Sequence, residues 1–213
     1  MARKEQAKSR RKVPGDAPQD IIAAALILAR TRAWRSISLS DIADEAGISL
    51  AQVYAEFASK AAIVGGFMKR IDHQVLAGGA VDVTEPARDR LFEVLMRRFD
   101  ALAPHKDAVA AIVGGLCAEP AAALAQAPRV LCSMAWMLEA ARVPADGLIG
   151  LVRIKGLAII YANALRVWLA DDTADMAQTM AAVDQGLRRA ESLARLCRPR
   201  RRQAGETRDS AAA

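Results

Sequence analysis

The side chains best suited to contact a polar partner lie in one run, LSDIADEAGISLAQVYAEFASK, from Leu39 to Lys60. Ser49, Gln52, Tyr54 and Lys60 contribute a hydroxyl, an amide, a phenol and an ammonium, and Leu50 and Ala51 set small apolar groups among them. A hydroxyl or an ammonium bonds phosphate oxygens. A glutamine amide spans the groove edge of adenine, and an alkyl group meets the methyl of thymine. The same amide also has the spacing to close a helix cap. Elsewhere, His73 and His105 lie far apart in sequence, with no nucleophile, metal-ligand pattern or glycine-rich phosphate loop beside them. The expectation is therefore a binding protein without cofactor, and not an enzyme.

Groups like these need a scaffold that presents one short helix. Ser38-Leu39-Ser40-Asp41 and Ser49-Leu50-Ala51-Gln52 both have the spacing of a capping box, in which serine and the acceptor three residues on satisfy each other's backbone N–H. Ile42 and Ala43 face inward from the first helix, and Val53 and Phe57 from the second. Ala46 is small enough for the helices to cross closely, Ile48 plugs the corner, and Gly47 supplies the left-handed turn between them. Leu50, Ala51, Gln52, Tyr54 and Ala55 are left to face a major groove or its rims, the geometry of a helix-turn-helix. With Ser38 at the start of the first helix, the expected DNA-contacting set is Ser38, Ser49, Leu50, Ala51, Gln52, Tyr54 and Lys60.

In register, Ile42-Ala43, Ala46-Gly47-Ile48-Ser49, Val53-Tyr54, Phe57 and Lys60 resemble the TetR-family pattern I-A-x-x-A-G-[IV]-S-x-x-x-[IVL]-Y-x-x-F-x-x-K. Trp34 resembles that family's bulky residue at the end of helix one, and the resemblance covers residues 18–70. It implies an all-α, TetR-like fold: an N-terminal three-helix helix-turn-helix domain followed by a larger helical ligand-binding and dimerisation domain. The implied function is a ligand-responsive transcriptional regulator, a repressor that binds double-stranded DNA at a palindromic operator as a homodimer. Ser49, Tyr54 and Lys60 would hold the phosphate backbone and Gln52 would read a base. Glu56 departs from the family's neutral or basic residue there, and Asp41, Asp44 and Glu45 make the preceding helix acidic as well.

The remaining chain reads as helices separated by proline, glycine and small polar caps. Just over half the residues are apolar, dominated by alanine and leucine, which favours helix. Asp16 with Pro18 opens a first helix to about Trp34. Ser59 caps a fourth through about Leu76, closed by Gly78-Gly79. Pro86 opens a fifth to about Leu102, and a sixth spans about 105–119. Residues 121–142 are helical with a break or kink at Pro128. Asp146 and Thr173 cap two long helices over about 147–170 and 173–196. The domain reading is a disordered basic arm at 1–15, the DNA-binding domain at 16–70, a ligand-binding and dimerisation domain at 71–196, and a disordered basic tail at 197–213.

Charge follows that division. The formal net charge is +6. Residues 1–12 hold Arg3, Lys4, Lys8, Arg10, Arg11 and Lys12 against Glu5, and residues 195–213 hold six arginines against Glu206 and Asp209, so the middle of the chain is slightly acidic. Basic arms suit a polyphosphate, whose neutralisation releases counterions. Cys117, Cys132 and Cys197 are spaced neither for a metal nor for a disulfide framework and read as buried or incidental thiols in a reducing compartment. The start lacks a signal peptide's apolar core, and Arg153, Lys155 and Arg166 interrupt the most apolar stretch. A cytoplasmic protein without stable membrane insertion is expected.

In the second domain, Met96, Phe99, Leu116, Met134, Trp136 and Met137 are candidates to line a pocket for a small apolar effector. Leu157, Tyr161, Leu165, Trp168, Met180, Val183 and Leu187 fall at helical spacings that suit a four-helix dimer interface. Residues 88–191 also resemble the TetR-folded, lipid-binding accessory proteins of ubiquinone biosynthesis, through Arg98-Phe99, Leu102, Pro104, Glu119-Pro120, Trp136, Ile160-Tyr161, Trp168 and Asp171-Asp172-Thr173. That resemblance implies an apolar pocket and, as an alternative function, lipid handling without DNA binding.

Overall fold

Pro18 in the first turn, where a missing N–H costs nothing, starts α1, Ala17–Thr31, which buries Ile21, Ile22, Ala24, Ala25, Leu26 and Ala29 along one face. The protein is seen here as a computed structural model that describes residues 16–196. The basic arm, the basic tail and Cys197 lie outside the described residues.

A 3-10 turn, Trp34–Ser36, takes the place of the last turn expected of α1. It leads to α2, Leu39–Ala46, α3, Leu50–Glu56, and α4, Lys60–Ala77. The larger part follows with α5, Ala87–Leu102, a second 3-10 turn at Ala103–His105, and α6, Lys106–Cys117. The last three helices are α7, Pro120–Ala140, α8, Gly147–Ala170, and α9, Ala177–Leu196. Among the described residues there is no strand, so the fold is all-α.

Helices α1, α2 and α3 pack with the front of α4, while α5, α7, α8 and α9 form a second bundle around its rear. Helix α4 therefore belongs to both cores: Ile63, Val64 and Phe67 are buried near its start, and Ile71 and Val75 near its end. The front unit also sits on α6 and the α6–α7 corner. Gly115 lets that helix approach, because a Cβ there would stand 3.1 Å from Trp34. Arg35 pairs with Glu119 at 2.7 Å, and the buried Gln126 amide donates to the Ala61 carbonyl at 3.2 Å.

Several elements differ from the sequence expectation. Helix α7 runs unbroken through Pro128. The carbonyl that loses its partner is that of Leu124, and both residues are exposed, so water can satisfy it. Asp16 and Asp146 precede their helices without making a side-chain cap bond. Helix α9 begins at Ala177, later than expected, because Thr173 caps it from outside: its hydroxyl oxygen accepts from the Ala177 N–H at 3.0 Å. The buried Asp171 carboxylate fixes the whole α8–α9 corner by accepting from both the backbone and the hydroxyl of Thr173 and of Thr179. These bonds, the Thr173 hydroxyl foremost, hold its pKa far below the usual carboxylate range. Cys117 and Cys132 are exposed, not buried.

Candidate nucleic-acid interface

Two serine caps position the front face. The Ser38 hydroxyl oxygen accepts from the Asp41 N–H at 3.0 Å, and Asp41 accepts in return from the Ser38 N–H at 2.7 Å and its hydroxyl at 2.8 Å. Asp41 also pairs with Arg32 at 3.3 Å. The Ser38 N–H first, then its hydroxyl and Arg32, pull the Asp41 pKa to about 2. One of the three acids on α2 is thus spent inside the fold, whereas Asp44 and Glu45 remain on the surface.

Gly47 ends α2 at φ 70°. Nothing lies within 4 Å of where its Cβ would stand, so backbone conformation and not crowding selects glycine. The chain then enters α3 through the second capping box. The Ser49 hydroxyl oxygen accepts from the Gln52 N–H at 3.2 Å, while Gln52 Oε1 accepts from the Ser49 N–H at 2.9 Å and from its hydroxyl at 3.0 Å. Val53 is fully buried, and Phe57 seats on α4 because Gly66 leaves room for its ring, 2.8 Å from a would-be Cβ. What remains outward is Leu50, Ala51, Gln52, Tyr54, Ala55 and Glu56, with Leu50 49% and Tyr54 76% exposed.

Lys60 does not join that face. Its ammonium donates to the Trp34 and Ile37 carbonyls, each at 2.6 Å, and sits 4.7 Å from the centre of the Trp34 ring. Burial pushes its pKa down. The side chain ties the first turn of α4 to the α1–α2 connection, and two of its three donors are used there.

Residues 21–65 match the N-terminal domain of the bacterial regulatory proteins, tetR family. They are a TetR-type helix-turn-helix domain. Around this domain the described residues have a TetR-like fold. A TetR transcriptional regulator from Nitrosomonas europaea superposes with a TM-score of 0.66 at 22% identity, over 82% of this chain and 98% of that one. A TetR transcriptional regulator from Rhodococcus sp. superposes at 0.62 with 18% identity, over 81% and 94% of the two chains. A tetR-family regulator from Streptomyces coelicolor gives 0.55 at 20% identity, over 84% and 82%. No curated protein matches the chain in sequence.

Behind the TetR-family domain, the candidate effector residues do not converge on one cavity. Phe99, Met134 and Met137 are fully buried in the core, Met96 and Leu116 are half-buried, and Trp136 points outward, 53% exposed. A cleft of about 870 Å3 opens elsewhere, lined by Asp82, Glu85, Asp89, Phe92, Glu93, Met180 and Asp184 among others, and none of those six candidates lines it.

The expected dimer stripe is also mostly internal. Leu157, Tyr161, Trp168, Val183 and Leu187 are buried within their own subunit, leaving Leu165 and Met180 half-buried. Tyr161 and Trp168 pack against Phe99, with ring centres 5.7 and 5.8 Å apart. Helical spacing identifies the covered face of α8 but not which neighbour covers it, and here it is α5, α7 and α9 of the same chain. The open face of α8 carries Leu148 at 84%, Ile149 at 68%, Val152 at 71% and Ile159 at 72% exposure. Leu148, Val152, Lys155 and Ile159 share one side of the helix, a spacing visible in the sequence. Helix α8 is also long and apolar enough to cross a membrane by composition.

One group that sequence reasoning left open is a buried ion pair. Arg98 on α5 bonds Asp72 on α4, and the Ser133 hydroxyl on α7 donates to the same Asp72 oxygen at 2.7 Å. The guanidinium lies 5.1 Å from the Tyr161 ring of α8. Four helices thus meet at one charge.

Proposed function

We propose that the chain is a DNA-binding transcriptional regulator, a repressor that reads a palindromic operator as a homodimer and answers to a small effector. The observation that carries this is the bare face of α3: Leu50, Ala51, Gln52 and Tyr54 stand exposed on a helix that both its cap and its buried Val53 hold rigidly. A recognition helix needs that combination of a fixed axis and an uncommitted face. Residues 16–70 form the reading head and residues 71–196 the effector and dimer domain.

Within this reading, Tyr54 contacts the phosphate backbone through its phenol. Ser38 and Ser49 cap their helices and stand exposed, and Leu50 and Ala51 meet thymine methyls. Lys60 supports the head from inside. The dimer partner covers Leu148, Ile149, Val152 and Ile159 on α8, since an apolar face of this kind is the ordinary mark of an association surface. Twofold pairing then accounts for a palindromic site, because one short helix reads too few base pairs alone. An effector reaching Phe99, Met134 and Met137 must part the helices around them. Its grip on DNA would respond only through a difference in affinity between the two arrangements.

The deciding experiment is capture and sequencing of random duplex DNA with the full chain and its Tyr54→Ala variant. The expected result is an enriched palindrome, with the variant binding it about tenfold more weakly, as loss of one backbone contact predicts, at an unchanged melting temperature. The exposed apolar side chains of α8 favour a second reading, a lipid-handling protein on the same fold. No enriched sequence together with co-purified lipid would establish that reading instead.

A further inference from the structure

We infer that Gln52 reads a guanine, through donors alone, and not an adenine; this rests on the DNA-binding reading above. Adenine offers the major groove an acceptor, N7, beside a donor, the N6 amino group, so an amide that reads it must present both its N–H and its oxygen. In this chain the oxygen is already used. Gln52 Oε1 accepts from the Ser49 N–H at 2.9 Å and from the Ser49 hydroxyl at 3.0 Å. Chemistry fixes which amide atom faces the serine: a backbone N–H can only donate, so its partner must be the oxygen. The Ser49 hydroxyl takes the Gln52 N–H as acceptor, which frees its own proton for Oε1. Both lone pairs of the amide oxygen are therefore occupied by the cap.

Gln52 Nε2 has no partner among the described residues, and the side chain is exposed beside Leu50 and Ala51 at the leading end of the recognition helix. It offers two N–H groups and no acceptor. Guanine is the base whose major-groove edge presents two acceptors side by side, O6 and N7, which one nitrogen can serve together as a lysine ammonium does. Reading adenine would require breaking the cap, with the Ser49 N–H left unpaired. The cap that makes α3 rigid thereby also selects its base.

The substitution Gln52→Glu separates the two roles. A carboxylate keeps the acceptor that the Ser49 N–H requires, so the capping box and the helix survive. The outward group, however, changes from donor to acceptor, and its complement is the N4 amino group of cytosine. Selection from random duplexes with the full-length wild type should return guanine at one position of each half-site, preferred by about tenfold or more. The Gln52→Glu chain, with a melting profile close to wild type, should replace that guanine by cytosine and leave the other positions alone. Placing 7-deazaguanine at that position should weaken wild-type binding and leave the variant indifferent. Adenine at the position changed by the variant, or a site identical for both proteins, overturns the assignment while leaving the regulator intact. The absence of any enriched sequence overturns the DNA-binding reading and this inference with it.

Discussion

Under the proposed function, Lys60 supports the reading head from inside and leaves the DNA to other side chains. Its ammonium donates to two backbone carbonyls: that of Ile37, and that of Trp34, which also accepts from the Ile37 N–H at 3.3 Å. Hydrogen bonds from a charged group are among the stronger ones, and an unmet buried carbonyl carries its own penalty. Lys60→Met should accordingly lower stability by about 2–3 kcal/mol, read as a shifted denaturant midpoint. It should leave the slope of log affinity against log salt concentration as it was, since no phosphate contact is removed. A slope shallower by about one would instead put the ammonium on the DNA backbone. Tyr54 is the opposite case, exposed and with no side-chain hydrogen bond or ring contact among the described residues, so its loss should be felt only in binding.

One short helix and one corner between two long helices depend on carboxylates that must stay ionised. Asp41 closes the cap of α2, and Asp171 holds the α8–α9 corner through four bonds to Thr173 and Thr179. Both have pKa values below the ordinary 3.8, Asp41 at about 2. A carboxyl whose pKa is lower in the folded state stabilises fully above its unfolded value. That contribution fades as pH falls below the unfolded pKa and is gone once pH has passed through the folded one. Thermal melts should thus be flat from neutral pH down to about 5 on these two groups' account, then fall between about 4 and 2. Asp171→Asn should melt several degrees lower at neutral pH, because an amide nitrogen cannot accept from Thr179, and should show a weaker acid dependence. An unchanged melt at pH 7 would mean that the corner is held by packing alone.

Across the molecule, α4 is the shared member. Its start carries Lys60 and the contact with Gln126, its middle packs in the front core, and Asp72 further on meets Arg98 and Ser133 in the rear bundle. In the proposed regulator, this buried charge is the link by which a shift of α5 or α7 reaches the helix that bears the reading head. Helix α8 meets the same guanidinium through the Tyr161 ring and leaves Ile159 exposed. Ile159→Asp should leave the subunit folded, since the residue is 72% exposed, yet yield monomers by light scattering. Affinity for the palindrome should fall by on the order of a hundredfold as the second half-site is lost to avidity. Dimers that persist in this variant would remove α8 from the interface.

The parts legible in the chain were those in which cause and effect lie within one or two helical turns. The two serine boxes, the left-handed Gly47, the inward Ile42, Ala43 and Val53, and the order of the helices follow from spacings of three and four residues, and the TetR-like resemblance rests on the same short-range pattern. Where an expectation changed, the surroundings of the side chain decided it, whether a partner distant in sequence or solvent. Lys60 turned inward because carbonyls more than twenty residues earlier meet it. Tyr161 and Trp168 went to their own core because α5 supplies Phe99. Pro128 was tolerated because its side of α7 faces solvent. Gln52 stands between the two cases: its cap was readable as a spacing, but only the folded arrangement shows that its oxygen is spent and its nitrogen free. Periodicity sets which residues share a face; what meets that face depends on packing between elements far apart in the chain.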